Sequence, residues 1–158
     1  MLFVSEGNAA RSIMAEALLK RLGSRTFQVF SAGRKPADHL NAHTLETLKQ
    51  AGYDTSELRP KSWDMFVTPS APTLHVVVTL DDAMKKGPFP IWYCNPMHVH
   101  WPFADPQAVA GGDAERKGAH RRLYGDMEQQ ILKLLGLDLT GLNDYALKAK
   151  LSFIAPKG

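Results

Sequence analysis

The sequence holds a single cysteine, Cys94, among 158 residues. An intrachain disulfide framework is therefore excluded, and the reducing cytoplasm is the expected compartment. No apolar run approaches the roughly 18 residues that a membrane-spanning helix needs, so no membrane partner is expected. The opening Met1-Leu2-Phe3-Val4 gives way at once to Ser5-Glu6-Gly7, which is not expected to act as a secretory signal. Charge of one sign is scarce too: 19 Lys and Arg against 16 Asp and Glu leave +3. That excess is too small and scattered to argue for nucleic acid, and mildly favours small anions. Repeats and low-complexity tracts are missing. What remains is ordinary globular composition, 44% hydrophobic and 22% charged, which excludes disordered, collagen-like and coiled-coil chains. The length suits one domain over residues 1–158, because a second useful core would not fit.

Leu2-Phe3-Val4 reads as a short buried strand ending at a Gly7-Asn8 turn signal. From Ser12 the period turns helical, with Ile13, Met14, Ala17, Leu18 and Leu22 on one face and Gly23 as the stop. Phe27 to Phe30 predicts a second strand, followed by Ser31-Ala32-Gly33. A helix over Asn41 to Ala51, a short helix near Trp63 to Val67 and a doubly buried strand within Leu74 to Leu80 follow. Pro88, Pro90 and Pro96 mark residues 83 to 97 as an excursion, and Val99 to Phe103 is the expected last strand. The longest helix is predicted over Asp113 to Leu135, and a final one over Asn143 to Ile154. Strands alternating with helices imply an α/β chain with a parallel sheet and helices on both faces. In such sheets a ligand sits beyond the carboxyl ends of the strands, often at the first strand-to-helix turn.

That turn is Ser5-Glu6-Gly7-Asn8-Ala9-Ala10-Arg11-Ser12. Gly7 is free to take φ > 0 and curl the backbone so that successive N–H groups share one concavity. The helix starts at the rim and adds the partial positive charge of its N-terminus. Arg11 offers a planar fork of donors suited to a tetrahedral oxyanion. Asn8 is placed to lock the loop, and Ser12 to cap the helix or donate toward residue 5. From the residues alone, a tight turn with a surface arginine is the competing reading.

The chain resembles the low-molecular-weight protein tyrosine phosphatases and the related arsenate reductases, which carry Cys, five residues, Arg and Ser at this place. The resemblance runs through Glu6-Gly7-Asn8-Ala9-Ala10-Arg11-Ser12, Met14-Ala15-Glu16-Ala17-Leu18-Leu19 and Ser31-Ala32-Gly33, with Pro36 and Asn41 close behind. Gly52-Tyr53-Asp54, Lys61-Ser62-Trp63-Asp64, the His100-to-Pro106 segment and the tail from Leu142 to Ile154 look like the arsenate reductase branch. The resemblance implies a three-layer α/β sandwich with a small, mainly parallel four-stranded sheet. It implies phosphate, arsenate or a phosphotyrosine-like anion as ligand, held by the loop Glu6, Gly7, Asn8, Ala9, Ala10, Arg11 and Ser12. It makes Asp105 the general acid that protonates the leaving oxygen and later activates water. Read without the resemblance, Asp105-Pro106 is an Asx turn opening a loop.

Two departures alter the expected chemistry. Position 5, the family's nucleophilic cysteine, is Ser5. A thiol near pKa about 8.5 becomes a thiolate beside an anion nest and an arginine. A hydroxyl is far less acidic and needs an adjacent base, and none is evident in the loop. Arsenate reduction also draws its electrons from sulfur, which oxygen cannot replace. The second departure is that the expected counterparts of two resolving cysteines are Asp81 and Gly87. A disulfide relay within the chain is therefore not expected. A reductase would need glutathione or another external thiol, including a thiol reductant protein. No bound cofactor is expected.

Ser5 leaves three readings open. The nucleophile was replaced by design, or the chain is a natural pseudo-enzyme that senses an oxyanion, or the fold serves as a protein-interaction scaffold. Elsewhere, His98-Val99-His100 places two imidazoles on one side of a strand, weak evidence for a metal, and no metal site is expected. Trp92, Tyr93 and Trp101 read as packing of the excursion, Cys94 as a buried or half-buried thiol, and His120-Arg121-Arg122 as a solvated basic cluster. Arg34-Lys35 reads as exposed, with some positive potential near the pocket.

Overall fold

The computed structural model describes residues 1–157. Four strands, β1 (Leu2–Ser5), β2 (Phe30–Gly33), β3 (Val76–Thr79) and β4 (Met97–His100), alternate with helices α1 (Arg11–Leu22), α2 (Ala42–Gln50), α3 (Asp113–Leu135) and α4 (Asp144–Phe153). Short 3₁₀ turns lie at Trp63–Phe66 and Asp82–Met84. The sheet order is β2-β1-β3-β4, and every pairing is parallel. No helix among the described residues is long and apolar enough to cross a membrane.

Alternation along the strands divides the core. Phe3, Val76 and Val78 point to one face and meet α1, α3 (Leu123, Met127, Ile131, Leu134), Leu48 of α2 and Leu151 of α4. Leu2, Val4 and Val77 point to the other face, where Trp63, Phe66, Met84 and Trp92 cover them. The sequence predicts helices on both faces. The structure places the buried residues of all four α-helices on one, and gives the other to 3₁₀ turns and the aromatic excursion. Trp63 and Trp92 meet edge to face there, 6.1 Å apart, a favourable quadrupole geometry. Helix α1 is buried from Ser12 through Leu19, so it is the central helix of its layer rather than a surface helix.

Helix ends follow the sequence closely. Asn41 Oδ1 accepts from the N–H groups of His43 (2.9 Å) and Thr44 (3.2 Å), and Asn143 Oδ1 accepts from Ala146 N–H at 2.8 Å. Both satisfy orphan donors of a first turn. Two strands are displaced from their predicted places. The ladder of β2 begins only where Phe30 N–H donates to Met1 O (3.0 Å), so Phe27 to Val29 lead into it and Ser31-Ala32-Gly33 form it. Strand β4 runs from Met97 and ends at His100. Trp101 N–H still reaches Thr79 O at 2.9 Å, after which Pro102 has no N–H to give. The indole of Trp101 donates to Leu151 O at 3.0 Å, tying α4 to the sheet.

Candidate functional site

Parallel pairing brings Ser5, Gly33, Thr79 and His100 to the same edge of the sheet. The segments that follow these residues meet there. Ser5 is 3% exposed, and its Oγ lies 2.6 Å from Ser12 Oγ. Asn8 is fully buried. Its Nδ2 donates to Ser12 Oγ (2.8 Å) and Ser31 Oγ (2.9 Å), and its Oδ1 accepts from Lys61 N–H (2.8 Å). The residue that takes the left-handed conformation is Asn8, with φ 48°, and not Gly7 as the sequence suggests. Asparagine tolerates that region, and three hydrogen bonds fix it.

The loop's carbonyls turn outward. Those of Glu6, Gly7 and Ala9 accept from the N–H groups of Lys35 (2.9 Å), Ala37 (2.9 Å) and Asn41 (3.1 Å). Among the described residues, the N–H groups of Gly7 to Ala10 have no partner in the chain. Helix α1 begins at Arg11 with no side-chain cap, so its first-turn donors add to the same set. Gly33 makes this packing possible. A Cβ there would stand 2.9 Å from Glu6 O and 3.0 Å from Asn8 N. Ser12 does not cap the helix; its hydroxyl joins Ser5 and Asn8 instead.

Arg11 is brought together with Asp105, as the sequence predicts, and also with Asp81. Its Nη1 donates to Phe103 O at 3.1 Å, and its Nη2 pairs with Asp81 and, at 3.3 Å, with Asp105 Oδ2. Asp81 also accepts from Glu6 N–H at 2.5 Å. Burial pushes the Asp81 carboxyl above its ordinary value, although Arg11 and the Glu6 N–H pull the other way. Asp105 is about one-third exposed and accepts from Gln107 N–H at 2.9 Å, so the Asx turn is present as well. Glu6 reaches away from the loop and pairs with Arg34 at 2.8 Å.

Behind the loop lies a buried ionic network. Glu16, on the buried helix α1, accepts from Ser31 Oγ and pairs with Lys61 Nζ (3.0 Å) and Lys20 Nζ (2.7 Å). Burial would raise the Glu16 carboxyl, but these hydrogen bonds and the charge of Lys61 hold it below the usual value. The chain Lys61–Glu16–Ser31–Asn8–Ser12–Ser5 is thus continuous. Neither Glu16 nor Lys61 shows this role in the sequence. The available signal was an acid inside the apolar stretch from Ile13 to Leu19.

Other candidates lie apart from the loop. His98 packs on Phe89 and Trp92, while His100 bonds Thr79 Oγ1 (2.8 Å) and Asp82 (3.1 Å). Among the described residues, no group of three or more His, Cys, Asp or Glu is arranged to hold a metal. His120 is not on a solvated face. It is fully buried, its Nδ1 bonded to Arg116 O at 2.8 Å and its ring centroid 5.4 Å from that of His43, with the rings tilted. Cys94 is exposed rather than buried. Trp92 and Trp101 belong to opposite faces of the sheet, and Tyr93 is exposed.

The arrangement offers unpartnered N–H donors and one guanidinium to an anion. It gives the Ser5 hydroxyl no base: its hydrogen-bond partner is another hydroxyl.

Known proteins resemble this chain over most of its length. The family model for low molecular weight phosphotyrosine protein phosphatase matches residues 1–140. The arsenate reductase of Bacillus licheniformis is 32% identical over 133 residues, spanning 82% of this chain and 89% of that protein. The crystal structure of an arsenate reductase from Archaeoglobus fulgidus superposes with a TM-score of 0.68 at 26% identity, covering 86% of this chain and 98% of the other. A thioredoxin-dependent arsenate reductase of Corynebacterium glutamicum superposes with a TM-score of 0.62 at 24% identity. The match covers 85% of this chain but 58% of that longer one.

Proposed function

Since the chain belongs to the low molecular weight phosphotyrosine protein phosphatase family, we propose that its 5–12 loop binds phosphate, arsenate or an aryl phosphate and turns them over slowly or not at all. One observation carries this reading: the loop that joins Ser5 to Arg11 holds unpartnered N–H groups from Gly7 to Ala10, and the Ser5 hydroxyl lacks a base. The donors stabilise a tetrahedral oxyanion. Ser5 stands where the family's attacking sulfur stands, and an alcohol without a base attacks poorly. Residues 1–158 act as one such domain.

With cysteine at position 5, the family resemblance gives each residue a role, and the closeness of Asp105 to Arg11 supports it. The thiolate attacks phosphorus, an S–P bond forms and the bond to the leaving oxygen breaks. Asp105, held near Arg11, gives its proton to that oxygen and then takes one from the water that hydrolyses the S–P bond. Arg11 balances charge on the equatorial oxygens. In arsenate reduction the electrons come from thiols. This chain has one exposed cysteine, so an external thiol, glutathione or a thioredoxin-like protein, supplies what a second cysteine would.

A second reading has an observation of its own. Arg11 is already paired to Asp81, which suits a pseudo-enzyme that senses an oxyanion or serves as a scaffold better than a fast catalyst.

The test is hydrolysis of an aryl phosphate by Ser5→Cys beside the unmodified chain. Losing a nucleophile costs about 10⁶ in turnover elsewhere, so restoring it should raise kcat by at least about 1,000-fold. Adding Asp105→Asn should then lower it about 100-fold. A folded Ser5→Cys protein that stays silent would overturn the catalytic assignment.

A further inference from the structure

Asp81 stands inside the anion-binding face, not beside it. Its carboxylate takes the donor of the loop's first peptide, Glu6 N–H at 2.5 Å, and pairs with the guanidinium of Arg11. Those are the donor types that an oxyanion in the loop would use. The side chain is 9% exposed, so water does little to screen it. The charged groups facing it are Arg11, Asp105 and Glu6, and Glu6 is itself neutralised by Arg34. Two carboxylates, Asp81 and Asp105, therefore share one guanidinium.

An oxyanion entering this pocket meets the Asp81 oxygens at close range. If every ligand oxygen is ionised, lone pairs face lone pairs and like charges face like charges in a dry setting, which is costly. If one ligand oxygen carries a proton, that O–H donates to Asp81, and the contact becomes a charge-assisted hydrogen bond. A site built to accept from a ligand hydroxyl strongly rejects an analogue that lacks it.

We propose that Asp81 is a specificity-determining residue that makes the 5–12 pocket select protonated oxyanions, hydrogen phosphate and hydrogen arsenate, over fully ionised ones such as sulfate. The inference rests on the oxyanion reading of the same loop. At neutral pH, phosphate and arsenate keep at least one proton and sulfate keeps none, while size and tetrahedral shape are close. Sulfate therefore isolates the proton from the geometry.

The experiment is calorimetric titration of the full chain with sodium phosphate, arsenate and sulfate at pH 7 in a chloride buffer. It is repeated with Asp81→Asn and with Asp82→Asn, each checked for fold by circular dichroism. The unmodified chain should bind phosphate and arsenate with similar affinity and sulfate at least about 100-fold more weakly. Asp81→Asn, whose amide both donates and accepts, should bring sulfate to within about 10-fold of phosphate. Asp82→Asn removes an exposed neighbouring charge and should leave the preference intact. Sulfate binding to the unmodified chain within about 10-fold of phosphate would overturn the inference while leaving the oxyanion reading in place, and that arm does not depend on any variant folding. An unchanged preference in folded Asp81→Asn, or its loss in Asp82→Asn, would overturn it as well. If none of the three anions binds, the oxyanion reading falls and this inference with it.

Discussion

Replacing Lys61 by methionine should destabilise the protein far more than the same change at Lys20, although both ammonium groups touch the Glu16 carboxylate. The side chain of Glu16 is 4% exposed, that of Lys61 13% and that of Lys20 53%. Removing one partner of a buried pair costs about 3 to 5 kcal/mol, because a charge is left without compensation. Lys20 and the Ser31 hydroxyl still serve Glu16, so about 2 kcal/mol is expected for Lys61→Met. Lys20 is half in water, and its loss should cost about 0.5 kcal/mol. Urea unfolding measures both. With a slope of about 2 kcal/mol/M, Lys61→Met should lower the midpoint by about 1 M at unchanged slope. The pH dependence has a definite sign. Glu16 ionises more readily folded than unfolded, so its contribution is present above the unfolded value of 4.5 and is lost as pH falls through the lower folded value. The gap between Lys61→Met and the parent should therefore narrow as pH falls below 4.5 through the lower folded value. A Lys61→Met midpoint equal to that of Lys20→Met would refute the claim that the network bears on stability.

Gly33→Ala should cost about 1 to 3 kcal/mol, read by urea unfolding. The new Cβ presses on Glu6 O and Asn8 N, which are backbone atoms with little room to yield, and phosphate affinity should fall about 10-fold in the same protein. Arg11→Lys keeps the charge but loses the planar fork that reaches Phe103 O, Asp81 and Asp105 together. Phosphate titration should show at least about a 10-fold loss.

Much of the fold was legible because its signals are local. Helix α3 falls on its predicted span, Asp113–Leu135, since 3.6-residue periodicity and Gly136 mark it without outside help. The asparagines that cap α2 and α4 are equally local. Strand β2 was displaced because hydrophobicity pointed to Phe27–Phe30, whereas the ladder starts at Phe30 and continues through Ser31, Ala32 and Gly33. Small residues are needed there for a contact with Glu6 and Asn8 that a one-dimensional pattern does not contain. The three layers are present, but what builds the second covering layer was less legible, for a related reason. Trp63, Phe66 and Trp92 cover a whole face without forming an α-helix.

At the site, Arg11 and Asp105 meet as the motif and its resemblance suggest. Three things depended on the folded chain. Asn8 bends the loop in place of Gly7. Asp81 comes from 75 residues away to hold Glu6 N–H. Glu16 looked like one more position of an amphipathic helix until all sides of that helix proved to be packed. Long-range polar pairing leaves little trace in residue spacing: an acid within the apolar stretch from Ile13 to Leu19 hints at Glu16, but nothing local points to the Asp81 contact.

The unequal covering of the two sheet faces has a consequence for how the molecule breathes. One face is sealed by helices whose amides are tied within long regular ladders. The other is sealed by two brief turns and a proline-punctuated excursion, held mainly by ring packing. Amide hydrogens of α1 and of the central strands should exchange with solvent only when the whole molecule opens. Those between residues 83 and 97 should exchange through small excursions that leave the remainder intact. Asp81 sits at the junction of these two regimes, one residue before the turn Asp82–Met84. Its grip on Arg11 is therefore made from the softer side of the protein onto the stiffer one.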